Sequence, residues 1–235
     1  MTAENYYKNV NSHVQSLFDG SISQNKELLS LGIDISKSLQ IWHLILPDDD
    51  YKILISNSIQ SLEVSLLSQT YCLYRSAFSS LRLSMEMLFG AVYFSANKLE
   101  FIEWTKSSND LNWSTITDTN NGVLSYRFCN AFFPEMGVDA QLYQTKSKEL
   151  YRKLSEHVHG NYHTWNKQTD ILQIEPNFIK IFEGFLKLFR EISTLVLCVR
   201  FLKQLKRIQL EQIESIILQE LNHVSPINHF LSNSE

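Results

Sequence analysis

Turn-forming residues are scarce. The 235-residue chain has seven glycines and four prolines, too few to punctuate the many reversals of a β-sandwich or barrel. An all-α protein of long helices is the expectation. Cysteine is scarcer still: Cys72, Cys129 and Cys198 are odd in number, far apart and without C-x-x-C spacing. They fit neither a paired disulfide framework nor a thiolate zinc site and read as reduced thiols in or near the core. Excess charge is also missing, with 21 Lys and Arg against 25 Asp and Glu, a net charge of -4 and a pI near 6.0. No basic coat for nucleic acid covers the chain, although a local basic face stays open. The richest apolar run, Leu195-Val-Leu-Cys-Val199, is too short for a bilayer and is flanked by Lys187, Arg190, Glu191 and Arg200. With no secretory signal at the N-terminus, a cytoplasmic protein without membrane contact is expected. Glycine-rich phosphate loops and Gly-x-Ser-x-Gly nucleophile turns are absent.

What is present is helical periodicity and aromatic bulk, with 14 Phe and 10 Tyr. Residues 4–18 and 24–46 repeat with helical period around Asp19-Gly20-Ser21 and stop at Pro47, forming an N-terminal extension over 1–46. A core over 47–222 follows, in one helical domain of 1–235: long antiparallel helices around 51–96 (with a break near Ser68 to Tyr71), 141–160 and 177–222 (one long helix or two). Residues 97–140 form an irregular insertion over one end, rich in Ser, Thr, Asn and Asp between 107 and 122. Trp113, inside that polar stretch, is expected to dock on a surface.

Function is most readable at Glu149-Leu-Tyr-Arg-Lys-Leu-Ser-Glu-His-Val-His-Gly160. Leu150, Leu154 and Val158 make an apolar stripe. Arg152, Ser155 or Glu156, and His159 share the polar face beside it. Gly160 reads as a left-handed cap, so His157 and His159 lie where orphan carbonyls favour imidazolium. That capped end, with no further role, is the plainest reading. On the preceding long helix Arg75, Arg82 and Glu86 share a stripe, and Glu86 should be bonded to Arg82 or to the helix bearing Arg152. Glu156-x-x-His159 and Glu220-x-x-His223, with Glu86 and Glu63, only caricature a di-iron bundle, because both pairs sit at helix ends. His159-x-x-x-His163 is interrupted by Gly160. No metal and no cofactor are expected. Arg200, Lys203, Lys206 and Arg207 form a basic cluster: a solvated face first, an RNA- or partner-binding surface second.

Arg152 followed by His157 and His159 at a helix end, after a helix carrying an inward acid, resembles the HEPN superfamily of small helical domains, over roughly residues 50–205. Arg82 to Glu86 and Tyr151 to Gly160 are also similar to uncharacterised bacterial helical proteins. The resemblance implies a HEPN-like bundle and a metal-independent endoribonuclease of toxin-antitoxin or phage-defence systems. The implied enzyme is a homodimer in which Arg and His meet their mates across a cleft. It implies catalytic roles for Arg152 and for His159 or His157, with Glu86, Arg82, Ser155 and Glu156 as supporting residues. His159 is favoured because seven residues return it to the face of Arg152, while His157 is turned roughly 140° away. The family also holds inactive members, so a non-catalytic helical subunit that binds a cognate protein or antitoxin is the alternative.

Overall fold

The computed structural model describes residues 1–47, 49–159, 161–165 and 172–233. Among these residues there is no strand, in keeping with the shortage of turn formers. Helices α1 (Ala3–Gln24) and α2 (Lys26–Ile45) meet at Asn25, not at the expected Asp19-Gly20-Ser21 turn. A lone glycine costs a helix interior only about 1 kcal/mol, which burial of Leu17 on the preceding turn offsets. Helix α2 is no extension. Ile35, Leu39, Trp42 and Ile45 are buried in the common core, and a side chain on Gly32 would strike Leu66, so the glycine sets the spacing to the next helix. Only α1 lies on the outside, held by Leu17 and by Phe18 stacked on Tyr71.

Helices α3 (Lys52–Thr70) and α4 (Tyr74–Phe94) form the central hairpin, breaking close to the expected place. Cys72 N–H bonds Gln69 O and Leu73 N–H bonds Ser68 O, the paired helix-end closure that favours glycine at the left-handed position. Here a buried cysteine takes that conformation, with φ 57°. Small residues seven apart, Ser58 and Ser65 facing Ser84 and Ala77, let the backbones approach. Ser58 Oγ donates to Ser84 O and Ser84 Oγ to Ser58 O, both at 2.8 Å, and Ser65 Oγ donates to Ala77 O at 2.6 Å. As α3 is followed forward its partners on α4 run backward, so the pair is antiparallel.

The 97–140 stretch is more regular than its composition implies. It contains α5 (Lys98–Thr105), α6 (Trp113–Ile116) and α7 (Tyr126–Phe132), then a 3-10 turn at Pro134–Met136. Phe101, Ile116, Val123, Phe128 and Met136 from this stretch are buried in the core. Helix α8 (Gly137–Val158) crosses α4 antiparallel, and after α9 (Tyr162–Trp165) helix α10 (Pro176–Phe201) runs parallel to α4, with Tyr74 stacked on Phe178 at one end and Arg200 bonded to Ser95 at the other. Its periodic Phe178, Phe182, Phe189, Ile192 and Val196 are buried. The expected 177–222 stretch, one long helix or two, is two: a 3-10 turn at Leu202–Gln204 ends α10 and α11 (Arg207–Leu221) follows. Pro226 lies in the first turn of a further helix, α12 (Ser225–Ser232). No helix among the described residues is long and apolar enough to cross a membrane.

Candidate functional site

The last two turns of α8 sort their side chains between core and solvent. Leu150 and Leu154 are fully buried, and so, at 7% exposure, is His157. Its ring lies on Phe78 with centroids 3.9 Å apart and edges against Phe178 and Phe185. The expectation of a cationic helix-end histidine fails here. Burial lowers the His157 pKa to about 4, against the pull of Glu156 and aided by the charge of Arg75. As packed, His157 is a core aromatic rather than a proton carrier at neutral pH. Gly160 and the side chain of His163 lie outside the described residues; α8 ends with His159 N–H on Ser155 O at 2.9 Å.

His159 is exposed and bonds across to α4, where Arg82 Nη1 lies 3.1 Å from its Nε2. A guanidinium only donates, so Nε2 must accept and the ring is neutral with its proton on Nδ1. Arg82 is fixed from its other edge, where Nη2 donates to Glu86 Oε1 at 3.1 Å and to the Tyr151 hydroxyl. Tyr151 Oη in turn donates to the same carboxylate oxygen at 2.6 Å. The Glu86 placement inferred from sequence therefore holds on both counts. Arg82 and Glu86 side chains are about one-fifth exposed, and burial together with the Glu86 carboxylate pushes the Tyr151 hydroxyl up to about 12. Below, Trp113 docks as expected, face to face with the Tyr151 ring at 4.2 Å and against Phe89. The polar segment 107–122 thus props the site from beneath.

The structure does not bring Arg152 to His159. Arg152 Nη1 pairs with Glu156 at 2.6 Å and its side chain is 68% exposed, while Ser155 Oγ donates back to Tyr151 O. The guanidinium that meets the helix-end histidine belongs to Arg82. The spacing on α8 alone could not show this, since an exposed face leaves Arg152 equally free to pair one turn along.

The basic cluster loses one member to the interior. Arg200 is inward, donating to Ser95 Oγ and O and lying over Phe132 and Phe201. Lys203 pairs with Glu135 and Arg207 with Glu211, while the Lys206 backbone N–H bonds Gln209. Arg200 is thereby withdrawn from the cluster, and Lys203 and Arg207 each face a carboxylate.

A second polar cluster, not foreseen, joins α8, α10 and α11. Glu191 Oε1 accepts from Tyr143 Oη and from Lys146 Nζ at 3.0 Å, and His223 Nε2 stands 3.1 Å from Tyr143 Oη and 3.5 Å from that carboxylate. Beside it Arg190 pairs with Glu220 at 2.6 Å, the carboxylate of the Glu-x-x-His pair at that helix end. Glu63 is engaged by Ser36 and Gln40. The signal was weak, because Tyr143 and Lys146 read as ordinary polar positions until Glu191 is placed opposite them. Among the described residues no three His, Cys, Asp or Glu side chains are grouped to hold a metal.

No protein-family model, curated protein or solved structure matches this chain. Its chemistry is read from its own atoms.

Proposed function

We propose that the protein is a HEPN-like, metal-independent endoribonuclease whose site lies where α8 ends against α4. The observation that carries this reading is the Arg82–His159 contact: a neutral, exposed imidazole presenting Nε2 directly to a guanidinium. RNA supplies its own nucleophile. Arg82 turns from His159 Nε2 to the phosphate, the freed Nε2 removes the 2′-hydroxyl proton as O2′ bonds to phosphorus, and the P–O5′ bond breaks with proton return to O5′. The products are a 2′,3′-cyclic phosphate and a 5′-hydroxyl. Arg82 neutralises the phosphorane. A symmetric homodimer supplies the second imidazole as the acid for O5′. His157 holds the end of α8 in place by its stack on Phe78.

The test is incubation of the purified protein with single-stranded RNA in excess EDTA. Cleavage leaving cyclic phosphate ends is the expected result, lost in His159→Ala and Arg82→Gln. Light scattering that gives one 27.4 kDa chain would remove the dimer.

A second reading, a non-catalytic subunit that binds a protein, is favoured by one observation. Helices α2 and α3 carry exposed Ile33, Leu44, Ile53, Val64 and Leu67 on their outer faces, an apolar surface of the kind protein partners cover. An inactive wild type that still binds a cognate protein through this surface decides for it.

A further inference from the structure

A cavity of about 100 Å³ lies between the end of α4, α5 and the start of α6. The chain reversal after α5 builds it. Ser107, at φ 55°, takes the left-handed position, with its N–H on Trp104 O and the Ser108 N–H on Glu103 O. The chain then returns over α4, where Gly90 leaves the space that Leu111 fills; a Cβ there would lie 2.9 Å from the leucine. Asn112 Oδ1 accepts from Ser114 N–H at 2.9 Å and opens α6. Buried Tyr93, Phe94 and Ile116 line the cavity from the core side. Glu100 and Trp104, one turn apart on α5, line a second side, the Trp104 ring 5.6 Å from Phe94. Exposed Asp110 borders it toward solvent.

The charge around this cavity has one sign. Its lining holds the carboxylates of Glu100 and Asp110 and no Lys, Arg or His. Among the described residues no cation pairs with either acid. Lys98, two residues before Glu100, is drawn instead to Asp50 at 2.8 Å and Asp49 at 3.6 Å. Tyr93 Oη is what Glu100 has, 2.8 Å from both of its oxygens. Burial and this carboxylate raise the Tyr93 pKa, so the hydroxyl stays a donor and fixes the orientation of Glu100. One proton shared by two oxygens leaves most of the carboxylate's acceptor sites open. A half-buried carboxylate without a cation is costly, and an aromatic-walled cavity lies against this one.

We propose that this cavity binds a primary alkylammonium, its N–H groups on Glu100 and Asp110 and its methylenes among Tyr93, Phe94 and Trp104. An ammonium brings three donors to a lining that offers carboxylate acceptors. A quaternary amine brings none. Calcium and magnesium ask for about six or more oxygen ligands, whereas aromatic walls favour an organic cation. The volume falls well below the ~300 Å³ at which pockets for drug-sized ligands begin, so it takes the charged end of an amine and not a large molecule. The site is separate from the Arg82–His159 pair and does not require RNA cleavage.

The experiment is calorimetric titration of the full chain with n-butylammonium, against 1-butanol as its neutral counterpart. Butylammonium should bind with a Kd of about 1 mM or tighter, and butanol at least about tenfold more weakly. Glu100→Gln keeps an acceptor for Tyr93, so the fold should persist, as circular dichroism will check. Its affinity for butylammonium should fall about tenfold, on the scale of a hydrogen bond to a charged group. Asp110→Asn, at an exposed position, should cost about threefold. The indole N–H resonance of Trp104 should move during the titration, and that of Trp42 should not. Nα-acetyl-lysine methylamide separates the sources of the ammonium: affinity equal to that of butylammonium assigns the site to a lysine side chain of another protein, and much weaker binding assigns it to free amines. Tetramethylammonium binding as tightly overturns the primary amine as ligand, and competition by calcium overturns an organic cation. No binding by wild type, no movement of Trp104, or unchanged affinity in folded Glu100→Gln overturns the site.

Discussion

Helix α8 carries two tyrosine-carboxylate-cation-histidine clusters, and their parts are wired differently. At its end, Glu86 is saturated by Arg82 and Tyr151, and His159 touches the group only through the guanidinium. Toward its middle, Glu191 takes Tyr143 and Lys146, and His223 stands beside the carboxylate itself. The first arrangement requires a neutral imidazole whose lone pair is held by a donor-only partner. The second places an imidazole 3.5 Å from the Glu191 carboxylate and 3.1 Å from the Tyr143 hydroxyl. Burial works against that carboxylate's charge, but the bonds from Tyr143 and Lys146 win and hold its pKa below the usual range. Similar residue sets leave the imidazole on a guanidinium in one place and beside a carboxylate in the other, so what differs is which atom faces the ring.

The contrast breaks most sharply in kinetics. His159→Ala should cost EDTA-resistant cleavage roughly 10²- to 10⁴-fold, the usual worth of a positioned acid-base group, while His223→Ala should leave the rate within about twofold. Equal losses would erase the distinction. Stability comes next. Glu86→Ala strands a mostly buried guanidinium whose Nε already lacks a partner and should cost about 2–3 kcal/mol by denaturant unfolding. Glu191→Ala should cost about 1–2 kcal/mol, because Lys146 and His223 reach water more easily. The reverse order would show that the middle cluster, not the end, holds α8.

His157 offers a third measurement. Its folded pKa of about 4 lies below the unfolded value near 6.5, so folding favours the neutral ring. The stability it contributes is whole above about pH 6.5 and is lost as pH falls through about 4. His157→Phe keeps a ring on Phe78 and should remove that loss. At pH 4 the variant should exceed wild type by on the order of 2 kcal/mol, while the two differ by less than about 1 kcal/mol at pH 7.5. Parallel pH curves would mean that the histidine is reached by solvent. The smallest effect is that of Arg152→Ala, under about 0.5 kcal/mol in stability by denaturant unfolding, because its pair with Glu156 is solvated.

The all-helical architecture and the length of its helices were legible because breaker scarcity and apolar period are local properties. Glu86 and Trp113 were legible for a related reason: an acid inside an apolar stripe and an indole inside a polar loop each demand a partner. The partner of His159 was not. Arg152 shares its helical face, but Arg82 arrives from 77 positions away, and only the crossing of α4 and α8 reveals it. The break after Thr70 was placed by periodicity, yet its chemistry was hidden, since cysteine occupies a position where glycine is the usual sign. The basic residues from Arg200 to Arg207 were close in sequence, but Arg200 turns inward onto Ser95 at the end of α10, which the sequence did not show. The dimer and the ribonuclease activity rest on the family resemblance and the proposed site, and the experiments above decide them.

The stack of Trp113 on Tyr151 gives the molecule an optical gauge. Indole emission responds to a phenol ring at 4.2 Å, and that phenol holds the guanidinium that meets His159. Any ligand that draws Arg82 away slackens Tyr151 and alters the light from Trp113. With Trp42, Trp104 and Trp165 replaced by phenylalanine, the protein would report occupancy of its own site in a cuvette, without a label.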